Sequence, residues 1–371
     1  MRDDEAMEQA LAAGVSARRR TAPNPWVGCV LVRDGEIVGT GASMPAGHAH
    51  AEAGALAAAG DRARGATAYV TLEPCSHHGR TPPCADALIA AGVTRVVAAL
   101  EDPDRRVAGE GFAKLRAAGV DVTVGLGAAH AERDLAPYLH HRTTGRPYVV
   151  AKVATSVDGR AAAADGTSRW LTAEAARADA HELRADSQAV MVGSGTGLAD
   201  LPALTVRDVE HAPLHAPTRV LLDARGRVPA TGPLFDAAVA PTLVVTSSAG
   251  ARGSIDAWRA AGAKVEVVSP GTGGTGVDLD ETLELLGREG VLQVLVEGGG
   301  ALLGSILAGG YAQRLVMYVA PLALGTHGIP ALDLAGPGTI ADAARFHLAA
   351  GRQLGPDVRL DYDVRDDQVV G

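Results

Sequence analysis

A histidine, a glutamate and two cysteines have the types and spacing of a catalytic metal site. His50 and Glu52 lie two residues apart where a helical pattern begins, and Cys75 and Cys84 each follow a proline. One imidazole and two thiolates are suitable zinc ligands, and three protein ligands leave a fourth position for water. Zinc lowers the pKa of such a water, so that hydroxide can attack a carbon bonded to nitrogen. The pattern predicts a zinc-dependent deamination in which Glu52 carries a proton from the water to the departing amine.

Other histidines and cysteines near this set are weaker candidates for metal ligands. His48 lacks the two-residue offset from Glu52, which favours a position in a loop or beside the ligands. Cys29 lies in an apolar segment without a partner motif, and free cysteines are among the most buried residues. The eight residues between the two candidate cysteines also differ from the Cys-x-x-Cys spacing of zinc nucleobase deaminases.

Two glycine-rich turns in the second half of the chain favour a nucleotide site. One apolar segment ends in Gly193-x-Gly195, and another, at 294–296, leads through Glu297 into three consecutive glycines at 298–300. Such a turn lets the backbone approach a pyrophosphate at a helix N-terminus. Neither turn has the Gly-x-Gly-x-x-Gly pattern of a Rossmann domain, and each by itself could be purely structural. Glu297 lies where ligands gather in open α/β sheets.

Three basic residues of the same half could contact an anionic substrate. Arg184 and Arg207 can each form bidentate bonds to a phosphate, although a solvated position on a helix is an alternative for Arg184. Lys152 lies between apolar residues of a strand-like segment, so its amine either extends to solvent or lies in a pocket.

Helical and extended patterns alternate along the first part of the chain. A helical pattern covers residues 4–18, and Asp34-Gly35 between the apolar runs 27–32 and 37–40 is typical of a hairpin. Further helices are predicted at 50–59, 84–91 and 110–118, and strands at 67–72, 93–100 and 120–124. This alternation indicates a mixed sheet with helices on its faces.

A polar run at residues 140–147 ends in Gly and Pro and is predicted to be a linker, which gives domains at 1–144 and 145–371. A second alternation follows it. Strands are predicted at 148–154, 188–192, 218–223, 242–246, 264–268, 292–296 and 314–319, and helices at 173–184, 255–262, 281–288 and 301–308. The Gly-rich stretch 269–277 is predicted to be a flexible surface loop.

Composition excludes several classes of protein. The chain has 371 residues, enough for two domains, and a net charge of -9, which argues against a general nucleic-acid binder. It shows no secretory signal pattern and no apolar run near the ~20 residues that span a bilayer. Three cysteines cannot make a disulfide framework. We therefore expect a cytoplasmic protein without membrane or nucleic-acid partners.

Two segments of the first half match a known pair of motifs. Residues 71–84 read Thr-Leu-Glu-Pro-Cys-Ser-His-His-Gly-Arg-Thr-Pro-Pro-Cys, and residues 24–30 read Asn-Pro-Trp-Val-Gly-Cys-Val. Both segments closely resemble the deaminase domain of the bifunctional riboflavin-biosynthesis deaminase/reductases. The resemblance implies a cytidine-deaminase-like mixed sheet with helices, and it implies that Asn24, His77 and Arg80 lie near the substrate.

Three segments of the second half, residues 146–160, 166–172 and 198–207, resemble the reductase domain of the same family. The resemblance covers nearly the whole chain and implies a dihydrofolate-reductase-like α/β domain that uses NADPH. By motif position, the residues that would contact NADPH are Ala154, Trp170, Thr196, Asp200, Gly299, Gly300, Ala301, Leu302 and Leu303. Those that would contact the substrate are Lys152, Ser168, Arg184, Leu204, Arg207 and Glu297.

The resemblance implies two successive reactions of riboflavin synthesis on small phosphoribosyl-pyrimidine substrates. Deamination of 2,5-diamino-6-(5-phosphoribosylamino)pyrimidin-4(3H)-one would be followed by NADPH reduction of 5-amino-6-(5-phosphoribosylamino)uracil. A deaminase of tRNA or DNA bases is one alternative, which predicts a basic groove and the shorter cysteine spacing. A C-terminal half that binds a nucleotide without catalysis is another. We also expect a homo-oligomer.

Overall fold

The computed structural model describes residues 1–76, 82–104, 107–250, 252–334, 336 and 338–364. The chain divides into two compact units, Met1–Arg146 and Pro147–Gly371. Two residues predicted to lie near the substrate, His77 and Arg80, fall outside the described residues. Within the described part of the chain, no helix combines the length and the apolar character needed to cross a membrane.

A five-stranded sheet is the framework of the first unit. The elements along the chain are α1 (Asp3–Ala17), β1 (Gly28–Arg33), β2 (Glu36–Ala42), α2 (Ala51–Ala59), β3 (Thr67–Val70), α3 (Cys84–Ala90), β4 (Arg95–Ala98), α4 (Glu110–Ala117), β5 (Asp121–Val124) and α5 (Ala128–Thr144). The strand order is β2-β1-β3-β4-β5, with β1 antiparallel to both neighbours and β3, β4 and β5 parallel. The predicted hairpin and mixed sheet are both present.

Glycines allow helices to approach both faces of this sheet closely. Gly39 and Gly41 lie on the same face of β2. A Cβ on Gly39 would lie 2.2 Å from a carbonyl oxygen of α2, and a Cβ on Gly41 would lie 2.1 Å from another. On the opposite face, a Cβ on Gly28 of β1 would lie 1.8 Å from a carbonyl oxygen of α1. A larger residue on β2 would therefore displace α2, the helix that carries Glu52.

Most of the polar run predicted as a linker is helical. Residues up to Thr144 form the end of α5, whose buried residues Ala131, Leu135 and Tyr138 recur at helical spacing. Gly145 ends the helix with a φ of 75°, and its N–H donates to a carbonyl oxygen of the last turn. The polar side chains of the run lie on the less buried side of a helix that packs on the first unit.

The second unit is built on a nine-stranded sheet. Its elements are β6 (Tyr148–Ser156), β7 (Arg160–Ala162), α6 (Glu174–Ala185), β8 (Ala189–Gly193), α7 (Ser194–Asp200), β9 (Thr218–Leu222), β10 (Thr242–Ser247), α8 (Arg252–Ala260), β11 (Lys264–Val268), α9 (Leu279–Arg288), β12 (Gln293–Val296), α10 (Gly300–Ala308), β13 (Arg314–Ala320), β14 (Ile329–Pro330), β15 (His347–Leu354) and β16 (Asp357–Asp363). The strand order is β11-β10-β9-β8-β12-β6-β13-β16-β15. The strands are parallel up to β13, and β16 and β15 add an antiparallel hairpin.

Helices cover both faces of the parallel strands. Val149 of β6 packs in one cluster with Leu303 and Ile306 of α10, whereas the next residue, Val150, packs in another cluster with Leu183 of α6. Strands that are buried on both faces read as continuous apolar runs, which is why their positions were predictable. Since the strands are parallel, the loops after β8, β9 and β12 all leave the sheet at the same edge.

Candidate active sites

Three elements bring the candidate zinc ligands together. His50 directly precedes α2, Cys84 is the first residue of α3, and Cys75 lies in the segment after β3. The backbone N–H of Cys84 donates to Cys75 Sγ at 3.4 Å, and that of Ala85 donates to the carbonyl oxygen of Cys75 at 3.1 Å. These two bonds fix the segment after β3 to the start of α3.

The distances between the ligand atoms fit a zinc ion. His50 Nδ1 lies 3.6 Å from Cys75 Sγ and 3.3 Å from Cys84 Sγ, and the three ligand atoms lie within 4.8 Å of one another. Bonds of about 2.3 Å to sulfur and 2.0 Å to nitrogen, at a tetrahedral angle, separate the two ligand atoms by about 3.5 Å. The structure thus brings the three predicted ligands into an arrangement that suits tetrahedral zinc.

Glu52 lies beside this group in the first turn of α2 and is only 3% exposed. Burial raises the pKa of its carboxyl to about 7, and the carboxyl interacts electrostatically with both Cys75 and His50. A group with a pKa near the working pH can both accept and return a proton. The position of Glu52 therefore suits a general acid–base role next to the metal ligands.

The thiol of Cys75 differs from the thiols of Cys84 and Cys29; its hydrogen bond to Cys84, together with burial, raises the pKa of Cys84. A hydrogen bond from Cys84, opposed by burial and supported by His50, lowers the pKa of Cys75 to about 4. A thiolate is the form that binds metals. Cys29 is fully buried in β1, and burial raises the pKa of its thiol well above the usual value, so Cys29 behaves as a core residue.

Glu73, which no sequence pattern marked as functional, holds the cysteine segment against the loop before α4. This glutamate is buried two residues before Cys75. Its carboxylate accepts hydrogen bonds of 2.8–3.3 Å from the backbone N–H groups of Asp102, Gly109, Gly111 and Phe112. A carboxylate that receives main-chain donors leaves no spacing signal in the sequence, because any residue type supplies an N–H.

Asn24 and His48 were also predicted to lie near the metal site or the substrate. Asn24 is half-buried, and among the described residues its side chain has no hydrogen-bond partner, which leaves it available to a ligand. His48 lies outside the group of potential metal ligands, and its backbone N–H donates to Pro45.

In the second unit, three of the predicted substrate residues meet at the end of β12. Arg184 of α6 donates two hydrogen bonds to Glu297, at 2.5 and 2.9 Å, and Lys152 Nζ lies 3.7 Å from the same carboxylate. Burial alone would raise the pKa of Glu297, but the positive charges of Arg184 and Lys152 outweigh burial and hold this pKa at about 2. Lys152 therefore lies in a pocket and does not extend into solvent.

Arg207 lies near this cluster with an exposed guanidinium that, within the described ranges, has no hydrogen-bond or ion-pair partner. The main chain around Arg207 is held by His181 of α6. His181 Nδ1 lies 3.3 Å from the backbone nitrogen of Arg207 and 3.1 Å from the carbonyl oxygen of Thr205. Arg184 donates to that same carbonyl at 2.9 Å. Arg184 is thus already engaged, whereas Arg207 is free to bind a phosphate. No sequence pattern had indicated His181.

The glycine turn after β12 exposes backbone N–H groups at the start of a helix, where a pyrophosphate can bind. Gly299 is exposed and precedes α10, at whose start the backbone N–H groups of Gly300 and Ala301 have no partner among the described residues, whereas those of Leu302 and Leu303 donate to the carbonyl oxygen of Gly299 at 3.1 and 3.2 Å. The N–H of Gly299 donates to Thr196 Oγ1 at 3.1 Å, which joins the turn to α7 after β8, and a Cβ at this position would meet only that hydroxyl, at 3.7 Å. Gly300 has a packing role, since a Cβ there would lie 2.8 Å from the carbonyl oxygen of Pro330.

The remaining residues predicted to contact a ligand in the second unit differ in how far their side chains are exposed. Trp170 is 71% exposed, and its neighbour Arg169 donates to the backbone of Asp200 at 3.1 Å, so this loop adjoins the end of α7. The side chains of Leu204 and Leu303 are buried in the core, so only their main chains can contact a ligand. Ala154, Ser168 and Leu302 are half-buried, and Asp200 and Ala301 are exposed.

Comparisons with known proteins match both units. The family model of the RibD C-terminal domain matches residues 147–360, and that of the cytidine and deoxycytidylate deaminase zinc-binding region matches residues 1–100. The riboflavin biosynthesis protein RibD of Escherichia coli (strain K12) is 42% identical over 97% of this chain and 99% of its own length. RibD of Mycobacterium tuberculosis is 40% identical over 98% of this chain and 97% of its own length.

Solved structures agree with these matches. RibD of Acinetobacter baumannii has a TM-score of 0.88 and 38% identity, and it covers 98% of this chain and 99% of its own. The deaminase/reductase of Thermotoga maritima has a TM-score of 0.85 and 28% identity over the same shares. The predicted family, fold class and pair of activities are confirmed, and a C-terminal half without catalysis is not favoured. The chain belongs to the RibD family, whose members join a zinc-dependent deaminase and an NADPH-dependent reductase of riboflavin biosynthesis.

Proposed function

We propose that the first unit deaminates 2,5-diamino-6-(5-phosphoribosylamino)pyrimidin-4(3H)-one and that the second reduces the product, 5-amino-6-(5-phosphoribosylamino)uracil, to its ribitylamino form. The Thermotoga maritima protein is described as a diaminohydroxyphosphoribosylaminopyrimidine deaminase and 5-amino-6-(5-phosphoribosylamino)uracil reductase, which supports these substrates. The observation that carries the proposal is the arrangement of His50, Cys75 and Cys84 beside the buried Glu52.

In the deamination, His50, Cys75 and Cys84 hold the metal, and Glu52 moves protons. Bound zinc supplies a Lewis acid that lowers the pKa of water. Glu52 accepts a proton from the attacking water and delivers it to the amino nitrogen of the substrate, which leaves as ammonia while the ring carbon gains oxygen. Asn24, His77 and Arg80 bind the substrate in this proposal.

In the reduction, bound NADPH would supply a hydride to C1′ of the opened sugar, and water would supply the proton that completes the reduction. The free backbone N–H groups of Gly300 and Ala301 would hold its pyrophosphate, while Gly299, Leu302 and Leu303, whose N–H groups are already bonded, would line it, and Ala154, Trp170, Thr196 and Asp200 would line the rest of the cofactor. Arg207 binds the substrate phosphate. Lys152 and Glu297, with Arg184 fixing the carboxylate, face the sugar, and Ser168 and the main chain of Leu204 complete the substrate site.

The proposal includes a homo-oligomer in the cytoplasm that binds no nucleic acid. In support, β15 lies at the edge of the nine-stranded sheet, and nearly all of its residues are exposed. Such an edge offers unpaired backbone groups to a second chain. Light scattering on the purified chain should give a multiple of the 37.7 kDa monomer mass. A mass equal to that of the monomer would refute the proposed homo-oligomer.

The test is an assay of the purified full chain on the diaminopyrimidine phosphate, with and without NADPH. Ammonia should be released without NADPH, and NADPH should be oxidised once it is added. The matched variant Glu52→Gln should keep zinc but lose roughly 10²–10⁴-fold of the deamination rate, because an amide cannot shuttle the proton. It should still reduce separately supplied deaminated substrate. NADPH binding without oxidation in the wild-type chain would instead support a non-catalytic C-terminal half.

A further inference from the structure

The loop after β9, residues 223–228, lies at the edge of the sheet where we place NADPH. Leu222 at the end of β9 pairs with Gly193 at the end of β8, and Val296 at the end of β12 pairs with Met191 of β8. The ends of the three strands are therefore nearly level. Two strand spacings, about 10 Å, separate the loop after β9 from the glycine turn after β12.

Hydrogen bonds fix the main chain of this loop. Asp223 is fully buried, and its carboxylate accepts the backbone N–H groups of Arg227 and Val228, both at 2.7 Å. The indole N–H of the buried Trp258 donates to the carbonyl oxygen of Val228 at 2.9 Å. The side chain of Arg227 therefore starts from a fixed position.

Arg227 extends from the loop towards α7. Its guanidinium donates a hydrogen bond to Ser194 Oγ at the beginning of that helix. Gly197 allows the helix to pack closely on the loop, because a Cβ there would lie 3.1 Å from Val228 Cγ2. Thr196, between these two residues, accepts the hydrogen bond from Gly299 of the glycine turn. A continuous surface thus joins Arg227 to the proposed pyrophosphate site.

The positive charge of Arg227 is not neutralised by a neighbouring carboxylate. Its side chain is exposed, and no carboxylate in the described part of the chain forms an ion pair with it or with Arg225. The acidic groups at this edge are engaged elsewhere, Asp223 by backbone N–H groups and Glu297 by its two basic partners. An exposed, unpaired guanidinium on a fixed loop is suited to a dianionic phosphate.

We propose that Arg227 binds the 2′-phosphate of NADPH and sets the preference for NADPH over NADH. The two cofactors share the pyrophosphate and the nicotinamide and differ only in the phosphate on the adenosine ribose. An arginine near that ribose accommodates the same phosphate in Rossmann domains, so the chemistry is available to any fold that places a guanidinium there. The inference rests on the proposed position of NADPH at the turn after β12.

Equilibrium binding measured by calorimetry on the zinc-loaded full chain tests this inference. The probes are NADPH, NADH, adenosine 2′,5′-bisphosphate and 5′-AMP, and the variants are Arg227→Gln and its matched control from the same loop, Arg225→Gln. Arg227→Gln should weaken NADPH and the bisphosphate by roughly 10–150-fold, because charge-assisted hydrogen bonds are lost. Its affinity for NADH and 5′-AMP should equal that of the wild type, and Arg225→Gln should leave all four affinities unchanged.

Several outcomes overturn the assignment. Equal weakening of NADPH and NADH by Arg227→Gln would mean that Arg227 supports the fold or the pyrophosphate. If Arg227→Gln and Arg225→Gln weakened NADPH binding equally, the loop would attract the cofactor through its overall positive charge and not through a binding site at Arg227. If Arg227→Gln unfolds at a lower temperature, Arg227→Lys, which keeps the charge without the bidentate geometry, should bind NADPH with intermediate affinity, and unaltered affinity would again refute the assignment. A wild-type chain that binds neither dinucleotide would instead refute the proposed reductase function.

Discussion

At the scale of single residues, the two candidate sites use buried carboxylates in opposite ways. Burial raises the pKa of Glu52 to about 7, whereas Arg184 and Lys152 overcome burial and hold the pKa of Glu297 at about 2. Glu52 can therefore exchange a proton near neutral pH, and Glu297 stays charged. Because its pKa is depressed by folding, Glu297 stabilises the folded state above about pH 4.5, and this contribution is lost as the pH falls towards 2.

The metal site makes a direct prediction about Cys84. Cys84→Ser should lose most of the bound zinc, because a serine hydroxyl is not a thiolate ligand at neutral pH. Metal analysis of the purified variant measures this loss. Cys29→Ser is the matched control: it changes a buried cysteine that faces the same side of the sheet but is not a ligand, and it should keep one zinc per chain. Full zinc occupancy in Cys84→Ser would remove this residue from the site.

Arg207 makes a prediction about the reductase alone. Arg207→Ala should lower the reductase kcat/KM by roughly 10–150-fold, because charge-assisted hydrogen bonds to the substrate phosphate are lost. Deamination and NADPH affinity should be unchanged, and Arg288→Ala, which removes an exposed arginine from α9, should leave all three quantities intact. Weakened NADPH binding with an intact substrate KM would move Arg207 to the cofactor site. Equal loss of both activities would indicate damage to the fold.

At the scale of elements, the sequence predicted the parallel strands and most of the amphipathic helices, but it missed α5 and the alternating strand β16. Parallel strands such as β8 and β12 are buried on both faces and appear as apolar runs, and the Asp-Gly turn marked the first hairpin. The end of α5 was assigned to a linker because residues 140–147 are polar and the run ends in Gly145 and Pro147. The strand β15 gave no signal, because exposure along almost its whole length removes the alternation that marks a strand.

The candidate sites were predictable to a similar extent. Zinc ligands must be particular residue types, so His50, Cys75 and Cys84 could be proposed as ligands from chemistry and order alone, and the structure brings their ligand atoms together. Contacts that depend on the folded backbone could not be identified from the sequence. The four N–H groups around Glu73 and the main-chain contacts of His181 come from segments far apart in the sequence, and only the fold brings them together.

Glu73 carries the prediction that belongs to this scale, since it joins the cysteine segment to α4. Glu73→Gln should destabilise the first unit by at least about 2 kcal/mol, because an amide cannot accept all four backbone hydrogen bonds and buried N–H groups lose their partners. Chemical denaturation of the zinc-loaded chain measures this cost. Glu110→Gln, at an exposed position in the first turn of α4, is the control and should have little effect. Equal stability of the two variants would contradict a supporting role for Glu73.

At the scale of the whole molecule, net charge separates this chain from deaminases that act on nucleic acids. The chain carries a formal charge of -9, and proteins that bind phosphate backbones need clustered positive charge. Arg207 and Arg227, two exposed arginines that form no ion pair within the described ranges, suit single phosphate groups. The charge distribution therefore agrees with small nucleotide substrates.

This charge predicts that the chain neither binds nor deaminates tRNA. Mobility-shift titrations at low ionic strength, about 50 mM salt, are the most sensitive condition, because salt weakens contacts to phosphates. The diaminopyrimidine phosphate should be deaminated in the same solution, which serves as the control for active enzyme. Binding of tRNA that weakens steeply as salt is added, together with deamination of its bases, would support the rival function.

The positions of the three tryptophans have a practical consequence. Trp26 is buried in the first unit and Trp258 in the second, whereas Trp170 is largely exposed on the loop beside α7. Indole emission overlaps the absorption band of reduced nicotinamide. A dinucleotide bound beside Trp170 should therefore quench its fluorescence by energy transfer, while the emission of each buried indole reports on the packing of its own unit. The native chain thus contains one optical probe for the cofactor and one for each folded unit, without any added label.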